Sequence, residues 1–170
     1  MDRDGKIEEK SIPEAAGIKN LWGKYLTFYL DNEEYGIEIL KVQEIIGKIE
    51  TTRVPQTPRY IKGVANLRGR IIPVIDLRLM FDLGEVRQSA ETCTIVVQAS
   101  GIVAGIIVDR VSEVLNIPAE NTEQTPAFGA GVNTDYIRGI GKSGSGVILF
   151  LDIDRICDIT EALETLKDAS

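Results

Sequence analysis

Apolar residues in this chain come in short runs broken by turn-forming residues. Tyr25 to Leu30 (YLTFYL) is aromatic and β-branched, which suits a strand; Asp31-Asn32-Glu33-Glu34 makes a turn, and Tyr35 to Ile39 returns as the partner strand. Lys41 to Ile46 has apolar residues at 42, 45 and 46, a spacing that predicts no more than a short helical turn. Pro55 and Pro58 punctuate a loop, after which Ile61 to Leu67 and Arg70 to Asp76 flank Arg68-Gly69 as a hairpin. Leu77 to Phe81 then reads as a short helix.

The same plan follows a second time. Thr92 to Ala99 and Ile102 to Val108 surround Ser100-Gly101, a turn-rich stretch holds Pro118 and Pro126, and Tyr136 to Ile140 and Val147 to Leu151 close the pattern. A helix is predicted from about residue 153 to 166. The recurrence is also one of sequence. Tyr60 to Asp82 aligns without a gap on Tyr136 to Asp158, with six of 23 positions identical, and Gly36 to Ile46 aligns on Gly105 to Leu115. One supersecondary unit is written twice.

Many short strands at regular spacing argue for small barrels. A unit of roughly 65 residues gives about five strands per barrel, too few to hold much of a core alone. The two barrels are therefore expected to share an apolar seam, with a groove along it where binding would fall. Residues 1–20, polar and aperiodic, read as a flexible tail. Residues 21–168 form one domain, with repeat 1 over about 25–82 and repeat 2 over about 92–158.

Composition narrows the function. A net charge of −7 would repel nucleic-acid phosphates over most of the surface. The apolar runs Ile71 to Ile75 and Val147 to Leu151 are far too short to span a bilayer, and no basic-then-apolar leader opens the chain, so a cytoplasmic location is expected. Histidine is absent, which removes the commonest general base and metal ligand together. Cys93 and Cys157 stand apart in apolar settings and read as reduced, buried thiols. No catalytic residue, metal or cofactor is predicted.

Asp76 and Asp152, at matching positions of the two copies, suggest a shared-proton carboxylate dyad. The Asp-Thr-Gly turn that such a dyad needs is missing, and each aspartate ends a strand and opens a helix, so both are assigned as N-caps. Gly141-Lys142-Ser143-Gly144-Ser145-Gly146 lies between two strands and is a hairpin, not a phosphate cradle.

The copies differ most in that hairpin. Where the second has Lys142 to Gly146, the first has Asn66-Leu67-Arg68-Gly69-Arg70, an apolar residue beside two arginines. That composition predicts an exposed contact loop on a rigid scaffold. Glu44 is expected to pair with Arg68, since only the first copy offers an arginine there. Of Val42, Ile45, Ile46, Val111, Val114 and Leu115, about two in three should be buried core.

The segments EEYGIEILKVQEI (33–45), YIKGVANLRGRIIPVIDLR (60–78), VAGIIVDRVSEVL (103–115) and the closing YIRGIG…VILFLDIDRI together resemble the CheW family of chemotaxis coupling proteins, over about Tyr25 to Thr160. The resemblance implies a mainly β fold of two intertwined SH3-like five-stranded barrels, without catalysis. It implies an adaptor between transmembrane chemoreceptors and the histidine kinase CheA, recruited to membrane-associated receptor arrays but not inserted in the bilayer. Carried over by position, Val42, Glu44, Asn66, Leu67, Arg68, Val111 and Val114 would meet the cytoplasmic receptor tip. Ile45, Ile46 and Ile71 would meet the regulatory domain of the kinase. The N-terminal tail does not align. Two alternatives are a detached CheW-like regulatory module of a CheA-type kinase and, from another class, a small-barrel nucleic-acid binder; the second lacks the basic face and stacking aromatics it would need.

Overall fold

The computed structural model describes residues 23–84, 89–124, 135–144 and 146–158. The expected tail over 1–20 and the part of the expected helix that lies beyond residue 158 fall outside them. Eleven strands are seen among the described residues. Repeat 1 supplies β1 (Lys24–Leu30), β2 (Glu33–Glu38), β3 (Val42–Ile46), β4 (Ile61–Leu67) and β5 (Arg70–Asp76), followed by the short helix α1 (Leu77–Met80). Repeat 2 supplies β6 (Cys93–Ala99), β7 (Ile102–Val108), β8 (Arg110–Asn116), β9 (Thr122–Glu123), β10 (Ile137–Ser143) and β11 (Gly146–Leu151), with residues 153–158 helical.

The strands do not sort by repeat. One sheet runs β9-β10-β11-β2-β1-β8 and the other β3-β6-β7-β5-β4. Each is thus built on one copy and completed by the leading hairpin of the other. The exchange obeys the duplication: β2 runs parallel to β11 with Gly36 opposite Phe150, and β7 runs parallel to β5 with Gly105 opposite Val74. These are equivalent pairs in the sequence alignment of the copies. A side chain at Gly36 would meet Ile148 at 3.2 Å and Phe150 at 3.3 Å, so the glycine lets the barrel's own large residues fill that space.

The alternation along each exchanged strand explains why it reads as a near-continuous apolar run. Leu26, Phe28 and Leu30 of β1, with Ile95, Val97 and Ala99 of β6, join one core shared by both repeats. The opposite faces turn into the barrels: Val96 packs with Ile72 and Val103 in one, and Tyr25 with Ile117, Ile148 and Phe150 in the other. Both faces of these strands are buried, as the shared seam requires.

Two of the expectations need correction. Val42 to Ile46 is a strand preceded by a single 3-10 turn over Ile39–Lys41, not a helical turn. Pairing with β6, including Val42 opposite Val97, overrides the local apolar spacing. None of Val42, Ile45, Ile46, Val111, Val114 and Leu115 is fully buried, because β3 and β8 are edge strands with one side open. The six-stranded sheet exceeds the expected five only by the two-residue β9; its counterpart in the other sheet is the isolated bridge of Thr52 to Val64. That bridge brings the chain leaving β3 round to the opposite edge, β4, and so closes the second barrel.

The cap assignment agrees with the structure. Leu79 N–H donates to Asp76 Oδ1 at 3.3 Å and Arg155 N–H to Asp152 Oδ1 at 3.1 Å. Both aspartate amides also donate to a tyrosine carbonyl, Tyr60 and Tyr136, at 2.8 Å each.

Candidate functional site

The hairpin joining β4 to β5 turns on two residues with positive φ, Arg68 at 53° and Gly69 at 87°. Such a turn matches the twist of the flanking strands. Asn66 fastens it, its Oδ1 accepting the Gly69 N–H at 2.7 Å. This holds the Arg68 side chain out over the edge of β3. There Arg68 meets Glu44 in a two-pronged pair, Nη1 to Oε2 at 2.5 Å and Nη2 to Oε1 at 2.6 Å. A planar guanidinium against a carboxylate is the geometry that adds direction to charge.

The pair spans the two edges of the five-stranded sheet, β3 and the β4–β5 turn, at an end of the barrel the Thr52 bridge does not reach. The hydrogen bonds that Arg68 donates hold the Glu44 carboxyl below its ordinary range and raise the arginine further. Arg68 remains open to solvent, so it can still be approached from outside. The first barrel cannot repeat this clasp, because the position equivalent to Arg68 is Gly144; among the described residues its hairpin is tied instead by Lys142 to Glu123, at 2.7 Å.

Leu67 departs from expectation. It is half-buried and packs with Ile46 against Ile72, Val96 and Val103, stoppering the second barrel rather than standing free in a contact loop. Ile46 belongs to the same stopper. Asn66 is exposed, but its carbonyl oxygen is committed to the turn. Val42 and Val111, equivalent in the two repeats, are half-buried against the shared core. Val114 is 51% exposed, Ile45 46% and Ile71 61%, values high enough to leave these apolar side chains for a partner. Ile45 and Val114 are repeat equivalents, as are Ile71 and Val147, the last 56% exposed. Each barrel thus presents the same two apolar positions.

The structure brings Glu44, Asn66 and Arg68 together on the second barrel and leaves Val111 and Val114 on β8 of the first. A cavity of about 490 Å³ borders the shared core, but it is lined by Tyr35, Met80, Phe81, Leu83, Tyr136 and neighbours, none of them a candidate. Among the described residues no cluster of three or more carboxylates and thiols could hold a metal. Nor does any described helix have the length and apolarity to cross a membrane.

Reading the sequence missed a second set of charged contacts. Arg78 of α1 pairs with Asp31 and with Asp109, the latter at 2.9 Å, and donates to the carbonyls of Leu83 at 3.1 Å and Gly84 at 3.2 Å. Lys41 pairs with Asp154 at 3.1 Å. The one signal was charge reversal at equivalent positions, Asp76-Leu77-Arg78 in one copy against Asp152-Ile153-Asp154 in the other.

Residues 24–161 match the model of the CheW-like domain. The chain is 44% identical over 138 residues to chemotaxis protein CheW of Klebsiella aerogenes, covering 81% of this chain and 83% of that one. It is 36% identical to the Helicobacter pylori protein of the same name, over 78% of this chain and 80% of the other. The structure resembles that of the scaffolding protein TtCheW from Thermoanaerobacter tengcongensis, with a TM-score of 0.71 and 37% identity over 76% of this chain and 88% of that one. These likenesses do not favour the reading as a detached kinase module. With the duplicated SH3-like barrels and their exchanged hairpins, they establish that this chain belongs to the CheW family of chemotaxis coupling adaptors, which are scaffolds and not enzymes.

Proposed function

We propose that this adaptor couples the cytoplasmic tip of transmembrane chemoreceptors to a CheA-type histidine kinase, acting at the membrane-associated receptor array without entering the bilayer. The observation that carries the reading is the Glu44–Arg68 clasp. A two-pronged pair that stays exposed, present on one barrel and absent from the other, offers a directional charge that a plain structural turn does not need.

The receptor tip would lie against Val42, Glu44, Arg68, Val111 and Val114, with Asn66 and Leu67 setting the turn from beneath. A helical hairpin suits such a surface, since apolar anchors at helical spacing can sit beside one complementary charge. The kinase regulatory domain would take the exposed apolar positions, Ile45 and Ile71, with Ile46 acting from inside the barrel end. Glu44 and Ile45 are successive residues of β3, and side chains alternate along a strand, so the two can meet different partners although the contact sets are neighbours.

A pull-down of wild type and Arg68→Ala against a receptor-tip fragment and a CheA regulatory domain tests this. Loss of at least tenfold in affinity toward the tip, with kinase binding kept within twofold, is expected. Equal loss toward both would show that the arginine serves the fold and would overturn the assignment.

A further inference from the structure

The exchange of hairpins forces the chain to cross between barrels twice within the repeats. It crosses from β2 to β3 through Ile39–Lys41, and from β7 to β8 through Asp109. Each crossing carries a charged residue, and each charge grips the helix that follows the last strand of the barrel which the crossing leaves. Lys41 leaves the first barrel and holds Asp154, beyond β11. Asp109 leaves the second barrel and holds Arg78, beyond β5. The helix ends are repeat equivalents of opposite charge, Arg78 and Asp154, but the crossing residues are not equivalents, since Lys41 aligns on Arg110 and Asp109 on Leu40.

The two ties differ in grip. Arg78 is only 11% exposed, and four acceptors surround it: the two carboxylates of Asp31 and Asp109, and the carbonyls of Leu83 and Gly84. Asp109 also accepts the Asp31 N–H at 2.7 Å, which ties the β1–β2 turn into the same knot. Lys41 and Asp154 are 30% and 43% exposed. A solvated lysine pair is much the looser of the two.

We infer that Lys41–Asp154 and the Arg78 knot are positioning contacts for the receptor-facing surface, with the Arg78 side fixed and the Lys41 side adjustable. The next residue after Lys41 is Val42, and the second after Asp109 is Val111. Both valines belong to the surface assigned to the receptor tip, so the inference rests on that reading. Where each crossing sits decides where its valine sits. Tightening or releasing the Lys41 tie shifts β3, which carries Val42 and Glu44, against β8, which stays anchored through Asp109.

Hydrogen exchange on the full chain, with receptor-tip binding measured beside it, provides the test. Lys41→Asp sets two carboxylates against each other and should speed amide exchange over residues 39–46 at least fivefold, leaving 108–114 unchanged. Asp154→Lys should do the same. The double swap, Lys41→Asp with Asp154→Lys, should return exchange to within twofold of wild type and bring tip affinity back with it. A general destabilisation would quicken both regions equally and would not be restored by the swap; that result overturns the inference. So does a loss of affinity with unchanged exchange, which would make the charges direct contacts. Val42→Asp tests the reading beneath: if it leaves tip binding intact, the receptor assignment fails, while the exchange arm still decides whether the tie positions β3.

Discussion

Gly63→Ala is expected to cost far more than its one methyl group suggests. Gly63 sits in β4 with φ at 140°, and a Cβ there would lie 2.6 Å from the Thr52 carbonyl carbon and 3.0 Å from Arg53 Cα. Those atoms are backbone, not the free end of a side chain, so they can yield only by moving the closing segment of the second barrel. That segment is held by two bonds, Thr52 N–H to Val64 O at 2.8 Å and Val64 N–H to Thr52 O at 2.9 Å. Backbone strain at such a φ costs about 1–3 kcal/mol. Two lost hydrogen bonds add about 1 kcal/mol each. The stiffer unfolded chain of alanine gives back about 0.4–1 kcal/mol. The net loss is about 2–5 kcal/mol, a large part of the roughly 5–15 kcal/mol that holds a domain folded. Urea unfolding followed by circular dichroism measures it, with m expected to stay constant. Gly69→Ala is the control: φ is 87°, but nothing lies within 4 Å of the new methyl, so strain alone applies, at about 1 kcal/mol. If Gly63→Ala lost no more than Gly69→Ala, the closure of the barrel through Thr52 would be refuted.

Two further outcomes follow from buried groups. Burial raises the Asp76 carboxyl, outweighing the Leu79 N–H bond and the nearby Lys62 charge. An acid with a raised pKa contributes most below its unfolded value, and that contribution is lost as pH climbs through the folded one. Asp76→Asn keeps the acceptor without the charge, so it should match or exceed wild-type stability at pH 7, whereas Asp76→Ala should lose about 1 kcal/mol with the cap; thermal melts at pH 4 and pH 7 would show it, and an equal loss for both variants would contradict it. Burial also pushes the Cys157 thiol up to about 11, with Asp154 and Asp158 adding to the shift. At pH 8 it should react with a thiol reagent only as fast as the protein unfolds, the rate tracking urea concentration; rapid labelling of native protein would place it outside the core.

The exposed apolar positions show why the sequence could be read only so far. Ile45 and Ile46 are neighbours of one type, yet one faces solvent and the other stoppers a barrel, because β3 alternates and only one of its sides is covered. Leu67 looked like a projecting contact and turned inward for the same reason. Its fate was set by Ile72, Val96 and Val103, two of them from the other repeat.

What the chain carries on its face is whatever a few neighbouring residues decide. The Arg68-Gly69 and Ser100-Gly101 turns and the caps at Asp76 and Asp152 are all local, and each is where the pattern of apolar runs and turn residues put it. Even the Glu44–Arg68 pair was legible, because the second copy lacks its arginine. Tertiary structure alone decided which copy's hairpin completes which barrel, that the edge segment Val42–Ile46 is extended, and that Arg78 and Lys41 bind the crossings. Pairing between β2 and β11, or between Arg78 and Asp31, joins residues far apart in the chain, and its free energy comes from burial and charge contacts that no local window contains.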